Sequence, residues 1–466
     1  MKVLLAAAEA IPYYKTGGLG DVARSLPDAL HALGHDVRII VPAYAHLRDR
    51  IASLPVERTL TIPWPGGRRE VRFHLDEPDD AAPAVLVNAP EFFEQFGPYE
   101  MPFYDPLGPG RRFAFFSRAV VAYAAEWGAD VMHANDWQAG FVPVYELIDV
   151  VDIPTVFGIH NLAYQGNFDR ALLTSVGVPV ELYRTENGVE FHDQVSFMKA
   201  GVALSDRIVT VSPTYAREIQ TPEFGAGLDG LLRFRRRALT GILNGINTRV
   251  WNPAHDDALV TRYGVSTLER KDECRAALLD ELGLEDRGPL LAMVTRLAHQ
   301  KGIDIVVEAL DALIEKGMSL VVLGDGDSMT ESALAAAERA NPGRVAAIFR
   351  FDDALAHRIY AGADFFLMPS RYEPCGLGQM IAQRYGTPPI ARATGGLVDT
   401  VEDGRTGFLF DDPEPDALVA AVERARRVWR ARGWNALRRR CMRLDRSWDS
   451  SARSYETLYR VAIGAV

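Results

Sequence analysis

Nowhere does the chain carry about 18 consecutive apolar residues, so no segment reads as a membrane-spanning helix. Cysteine is scarce. Cys274, Cys375 and Cys441 stand far apart, with neither metal-ligand spacing nor an even-numbered disulfide framework. This excludes a disulfide-stapled scaffold and points to a reducing compartment. Positive charge is outnumbered, with 51 Lys and Arg against 62 Asp and Glu, for a formal net charge of −11. A general nucleic-acid or anionic-membrane binder is thereby excluded, and any anion must be held by a local cluster of cations. Low-complexity tracts and a Walker-type G-x-x-x-x-G-K-S/T loop are missing too. The expected setting is the cytoplasm. What is present is a globular composition, 48% hydrophobic and 24% charged, and at 466 residues the simplest division is two domains.

The chain is organised around its first 34 residues. Residues 1–8 form a short apolar run that suits a strand buried on both faces. A secretory leader is the competing reading. Glu9 interrupts the run early, and Pro12-Tyr13-Tyr14-Lys15 lacks a cleavage pattern. The loop Tyr14-Lys15-Thr16-Gly17-Gly18-Leu19-Gly20 follows, and Val22, Leu26, Leu30 and Leu33 then recur at helical spacing. Strand, glycine-rich loop and helix in this order gather backbone N–H groups and a helix N-terminus at one spot, which suits a phosphate. An ordinary βα turn with a solvated lysine fits the same spacing.

The rest of the first half alternates in the same way. Strands are expected at 36–41, 130–134, 154–159 and 207–211, and helices at 113–127, 139–148, 195–204 and 213–219. Short β-like runs occupy 56–88, and an aromatic, proline-bearing loop covers 92–104. A second series begins near residue 239, with strands at 289–295, 319–323, 345–349, 365–368 and 389–391. Helices at 303–313, 331–340, 354–361, 379–385 and 397–401 separate them. Such alternation predicts α/β architecture: two doubly wound Rossmann-like domains, 1–240 and 241–446, with the cleft between them as the default site. Gly225-Ala226-Gly227-Leu228-Asp229-Gly230 matches the dinucleotide fingerprint letter for letter. It follows a turn rather than a strand, so the cofactor reading fails.

Ligands of such sheets sit at the carboxyl ends of the strands. Those ends carry Lys15, Asp136 and His160 in the first half, and Arg296, Lys301 and Glu373 in the second. Arg296 and Lys301 flank one βα turn and could address a single diphosphate, or be two solvated charges. Glu373 is either a helix-start acid, favoured by about 0.3–1 kcal/mol, or a partner for sugar hydroxyls and an oxocarbenium-like transition state. Asp136 and His160 could equally be satisfied structural groups. Asp325-Gly326-Asp327 has the form of a metal-binding D-x-D but lies where a turn needs Asp and Gly, so no metal is assigned.

Seven motifs in order resemble the bacterial glycogen synthase and plant starch synthase family. They are Lys15-Thr16-Gly17-Gly18-Leu19, His133-Ala134-Asn135-Asp136-Trp137, His160 to Gly166, Val211 to Ala216, Arg296 with Gln300-Lys301-Gly302, Pro369 to Leu377, and Thr394-Gly395-Gly396-Leu397. The resemblance runs through to Trp448-Asp449. It implies a retaining glucosyltransferase of GT-B architecture that moves α-glucose from ADP-glucose to the non-reducing end of an α-1,4-glucan, with no cofactor and no metal. It implies that Lys15, Gly17 and Gly18 contact the donor diphosphate, and that Arg296 and Lys301 neutralise it as it leaves. Glu373 would contact the transferring glucose beside Cys375 and Gly376, with Thr394, Gly395 and Gly396 completing the donor site. His160 and Asp136 would line the sugar pocket, and Tyr99 would lie near donor or acceptor. The final helix, within about 447–466, would pack back on the first domain. Two departures stand out: Asn247 replaces the family's usual Asp, and 106–109 replaces a longer acidic loop. The rival expectations are a GT-B transferase for another nucleotide sugar or acceptor, and a non-catalytic sugar- or nucleotide-binding regulator.

Overall fold

A computed structural model describes residues 1–94, 105 and 107–464. The chain divides into two compact units, Met1–Asn244 with Trp448–Val466, and Gly245–Ser447. The first unit is built on β1 (Lys2–Ala6), β2 (Asp36–Pro42), β3 (Val56–Trp64), β4 (Gly67–Asp76), β5 (Ala84–Asn88), β6 (Val131–Asn135) and β7 (Thr155–Ile159). Three short strands follow, β8 (Asn167–Phe168), β9 (Glu190–Phe191) and β10 (Gln194–Ser196), which form a small antiparallel sheet of their own. Next come β11 (Arg207–Thr210) and β12 (Leu239–Gly241).

The nine-stranded sheet runs β12-β11-β7-β6-β1-β2-β5-β4-β3. Its inner strands are parallel and almost wholly buried, as the unbroken apolar runs require. β3 and β4 instead pair antiparallel at one edge and alternate between exposed and covered side chains. The expectation that the second series begins near residue 239 is corrected here. Leu239–Gly241 pairs with β11 as the edge strand of the first sheet. Two helices also differ from their apolar spacing. The helix predicted at 113–127 starts earlier, as Gly108–Trp127, because Pro109 sits in a first turn where its missing N–H is not needed. The one predicted at 139–148 becomes a 3₁₀ turn, Trp137–Ala139, followed by the helix Val142–Asp149 with Pro143 in its first turn.

Helix Gly18–Ala32 turns Leu19, Val22, Ala23, Leu26 and Leu30 into a buried cluster with strands β1 and β2. The final helix, Trp448–Ala462, joins that cluster through Trp448, Ala452, Tyr455, Leu458 and Tyr459. Full burial of a large apolar side chain contributes about 1.5–3 kcal/mol, so the chain's last helix is an integral part of the first unit's core.

The second unit holds β13 (Leu290–Val294), β14 (Ser319–Leu323), β15 (Val345–Ile348), β16 (Phe365–Met368), β17 (Pro389–Arg392) and β18 (Phe408–Phe410). They form a parallel six-stranded sheet in the order β15-β14-β13-β16-β17-β18. Strand order reverses between β1 and β6 in the first unit, and between β13 and β16 in the second. Each reversal opens a crevice past the strand ends. Among the described residues no helix is long and apolar enough to cross a membrane. Among the described residues the three cysteines are buried and lie outside any disulfide.

Candidate active site

In the first unit the loop after β1 is held from below by Glu9, which is only 3% exposed. Its carboxylate accepts hydrogen bonds from Thr16 N–H (2.7 Å), Thr16 Oγ1–H (2.6 Å) and Gly17 N–H (3.3 Å). Gly17 stands at the N-terminus of helix Gly18–Ala32, and no side chain caps that end. Lys15 is tied to Asp21 of the helix at 2.9 Å. Both side chains are partly exposed, and such pairs contribute about 0–1 kcal/mol, so Lys15 can turn to a ligand at small cost.

Across the same crevice, β6 is followed by Asp136, whose φ of 55° is rare for a non-glycine residue. Asp136 Oδ1 accepts N–H from His160 (2.7 Å) and Asn161 (3.4 Å), and so joins the ends of β6 and β7. Burial pushes its carboxyl up to about 7, against those two N–H groups and with help from the negative field of Glu9. His160 Nε2 lies 2.8 Å from Asn135 Oδ1, and burial lowers its pKa to about 4.

In the second unit Lys301 Nζ donates to Glu373 Oε2 at 2.6 Å, and Ser370 Oγ donates to the same oxygen at 2.9 Å. Glu373 is 5% exposed and precedes helix Gly378–Arg384 by five residues, so the helix-start reading of this acid is corrected. The loops that carry these residues are laced together. Arg371 N–H donates to Gln300 C=O, and Gln300 Nε2 donates to Tyr372 C=O. Gly302 adopts a left-handed φ of 66°, and a Cβ there would fall 2.2 Å from Pro369 O. The loop after β17 closes in the same way. Gly396 N–H donates to Glu373 C=O, and a Cβ on Gly395 (φ 48°) would fall 1.9 Å from that oxygen. Thr394 and Cys375 are buried beside this contact, and Gln379 donates to Cys375 C=O and Gly376 C=O.

The structure therefore groups the expected residues into two strand-end clusters. Asp136, His160 and the Lys15-Gly17-Gly18 loop belong to the first, while Lys301, Glu373, Cys375, Gly376, Thr394, Gly395 and Gly396 belong to the second. Arg296, just past β13, is exposed, and among the described residues no hydrogen bond or ion pair engages its side chain. Lys301 is not a bare cation as its spacing implied. Its partner is Glu373, and two of its three ammonium protons remain for a ligand. Tyr99 lies outside the described residues. Asp327 proves to be the cap of helix Ser328–Ala340, accepting from Thr330 N–H and Oγ1–H. Asn247 Oδ1 accepts from Arg249 and Val250 N–H, a turn role that Asp fills equally. Sequence reasoning missed Glu9 and Gln379. Glu9 had one signal, a carboxylate breaking an apolar strand at the mouth of a glycine-rich loop.

Comparison with known proteins now adds weight. Residues 2–234 match the starch synthase catalytic domain, and residues 275–432 match glycosyl transferases group 1. A glycogen synthase of Anaeromyxobacter sp. (strain Fw109-5) is 46% identical over 477 residues, covering 99% of both chains. One from Myxococcus xanthus (strain DK1622) is 45% identical over 471 residues, covering 98% of this chain and 99% of its own. Among solved structures, the catalytic domain of Starch Synthase IV from Arabidopsis thaliana, bound to ADP and acarbose, superposes with a TM-score of 0.90. It is 35% identical and covers 99% of each chain. A sucrose-phosphate synthase from Thermosynechococcus elongatus, 21% identical with a TM-score of 0.65 over the whole of both chains, shares the fold. By full-length identity and by two domain matches in chain order, the chain belongs to the glycogen and starch synthase family, the GT-B glucosyltransferases that build α-glucan.

Proposed function

We propose that the chain transfers glucose, with retention of the α configuration, from ADP-glucose to the non-reducing end of an α-1,4-glucan in the cytoplasm. The observation that carries this reading is the Lys301–Glu373–Ser370 cluster at the strand-order reversal of the second sheet, with exposed Arg296 just past the adjacent strand. That the Arabidopsis domain is bound to ADP and acarbose supports the choice of nucleotide and of glucan.

In this reading the bond between the glucosyl carbon and the diphosphate breaks as the acceptor hydroxyl attacks from the same face. ADP leaves with the electron pair, and the hydroxyl proton is taken up by the departing oxygen. Arg296 and Lys301 meet the charge that develops on the diphosphate as it leaves. The Glu373 carboxylate, fixed between Lys301 and Ser370, faces the positive charge of an oxocarbenium-like transition state. Asp136 and His160 bind sugar hydroxyls. These steps call on side chains alone, with no cofactor or metal assigned a part.

The rivals are a transferase for another nucleotide sugar or acceptor, and a regulator without turnover. Lys15, Arg296, Lys301 and Glu373 together speak against the regulator, because binding alone does not call for an acid set against a cation at the transfer site. The deciding experiment offers ADP-glucose and UDP-glucose separately, with a maltooligosaccharide primer, and measures chain extension and nucleotide release. Extension chiefly from ADP-glucose is expected. Release from neither donor favours the regulator, and preference for UDP-glucose removes the donor assignment.

A further inference from the structure

At the ends of β6 and β7 three polar side chains gather around Gly158: His133 and Asn135, both buried, and His160, half-buried. The orientation of the Asn135 carboxamide is settled by its neighbours. Its Nδ2 lies 3.1 Å from Ala6 C=O and 3.3 Å from His133 C=O, both of which can only accept. Its Oδ1 therefore faces His160 Nε2 at 2.8 Å. A carboxamide oxygen carries no proton, so the proton in that contact belongs to His160 Nε2.

Space around these side chains is closed. Gly158 is the register partner of Asn135, and a Cβ there would lie 2.8 Å from Asn135 Oδ1, 2.9 Å from His133 Nε2 and 3.5 Å from His160 Nε2. Behind it, His133 Nδ1 lies 2.9 Å from Tyr459 Oη of the final helix, while His133 Nε2 is buried with no hydrogen-bond partner among the described residues. His133 is 1% exposed, and burial lowers its pKa to about 3.

We infer that Asn135 is a positioning residue that fixes His160 as the Nε2–H tautomer, so that His160 Nδ1 is a dedicated hydrogen-bond acceptor for a hydroxyl of the sugar substrate. His160 is then no proton donor in the transfer. It selects for a group that brings its own hydrogen, and a fluoro substituent or a bare carbon at that sugar position cannot satisfy it. Its low proton affinity agrees with a ring that stays neutral through the working range. The substrate half of this inference rests on the proposed glucosyl transfer; the tautomer half does not.

The test separates the two. Histidine-selective ¹⁵N labelling of the full chain, with His160 assigned by loss of its signals in His160→Gln, reads the tautomer directly. The expected result at pH 7.5 is a protonated Nε2 and a bare Nδ1. A protonated Nδ1 in the wild-type protein overturns the inference. Asn135→Leu removes the acceptor, and should give mixed tautomers and lower kcat/KM for glucan extension by about tenfold or more, the loss of one oriented hydrogen bond. Asn135→Asp restores an acceptor for Nε2–H, and should recover the Nε2–H tautomer and part of the rate. Should Asn135→Leu fold with melting behaviour like the wild type and still keep the Nε2–H tautomer, Asn135 is not the positioning group. A tautomer that changes with no change in rate keeps the positioning role and removes His160 from substrate recognition.

Discussion

A carboxylate addressed by two backbone N–H groups, as Asp136 is by His160 and Asn161, is ordinarily held ionised; here burial outweighs them. With its pKa pushed up to about 7, Asp136 should give kcat/KM a limb centred near pH 7, and Asp136→Asn should remove that limb. The same limb in both proteins would contradict the assignment. His133 and His160, at about 3 and about 4, titrate too low to supply it. The stability sign also follows. The fold holds this proton more tightly than the unfolded chain, so its contribution is complete below the ordinary 3.8 and is lost as pH rises to about 7. Asp136→Asn should therefore gain in relative stability between pH 4 and pH 8, as followed by thermal unfolding. At Glu373 the expected split is kinetic. Glu373→Gln should leave ADP affinity by calorimetry largely intact while abolishing transfer, whereas a large loss of ADP binding would point to ribose contact instead. The residues at these strand ends were legible in the sequence because β and α periodicities place them there. Their partners were not, because Lys301 meets Glu373 across 72 residues of chain, and no local pattern encodes that meeting.

Among the elements, the glycine after β17 is tightly constrained. Gly395→Ala would drive a Cβ into Glu373 O at a left-handed φ, so backbone must move on both loops. We expect near-complete loss of transfer with a lowered melting temperature, and unchanged values of both would refute the close approach. The final helix makes a separate prediction. Leu458, 7% exposed in the first unit's core, should cost about 2–5 kcal/mol of stability when changed to Ala, as read by denaturant midpoint. A change within about 0.5 kcal/mol would mean that this helix is not part of that core. Helical spacing announced Gly18–Ala32 and the family resemblance announced the final helix, but their shared core joins residues more than four hundred positions apart. β12 was misplaced for a similar reason. Three residues, Leu239–Gly241, carry too little pattern to choose between two sheets, and the choice is made by register with β11.

At the scale of the whole molecule, one layout is used twice: a largely parallel sheet, a reversal of strand order, and candidate site residues on the loops that flank the reversal. The chain is acidic overall at −11, so its field repels a nucleotide sugar and the attraction must be local. The alternation of strand and helix made the two-sheet plan readable in advance. The antiparallel extension through β3 and β4 was not, because short alternating runs do not say which edge they will join. The claim on which the rest depends is that cations at the strand ends carry the departing diphosphate. The most direct measurement is kcat for glucan extension from ADP-glucose in purified Arg296→Ala and Lys301→Ala. We predict a fall of about 10²–10³-fold in each, the scale of other preorganised electrostatic donors. A kcat near that of the wild-type protein in both variants would contradict it.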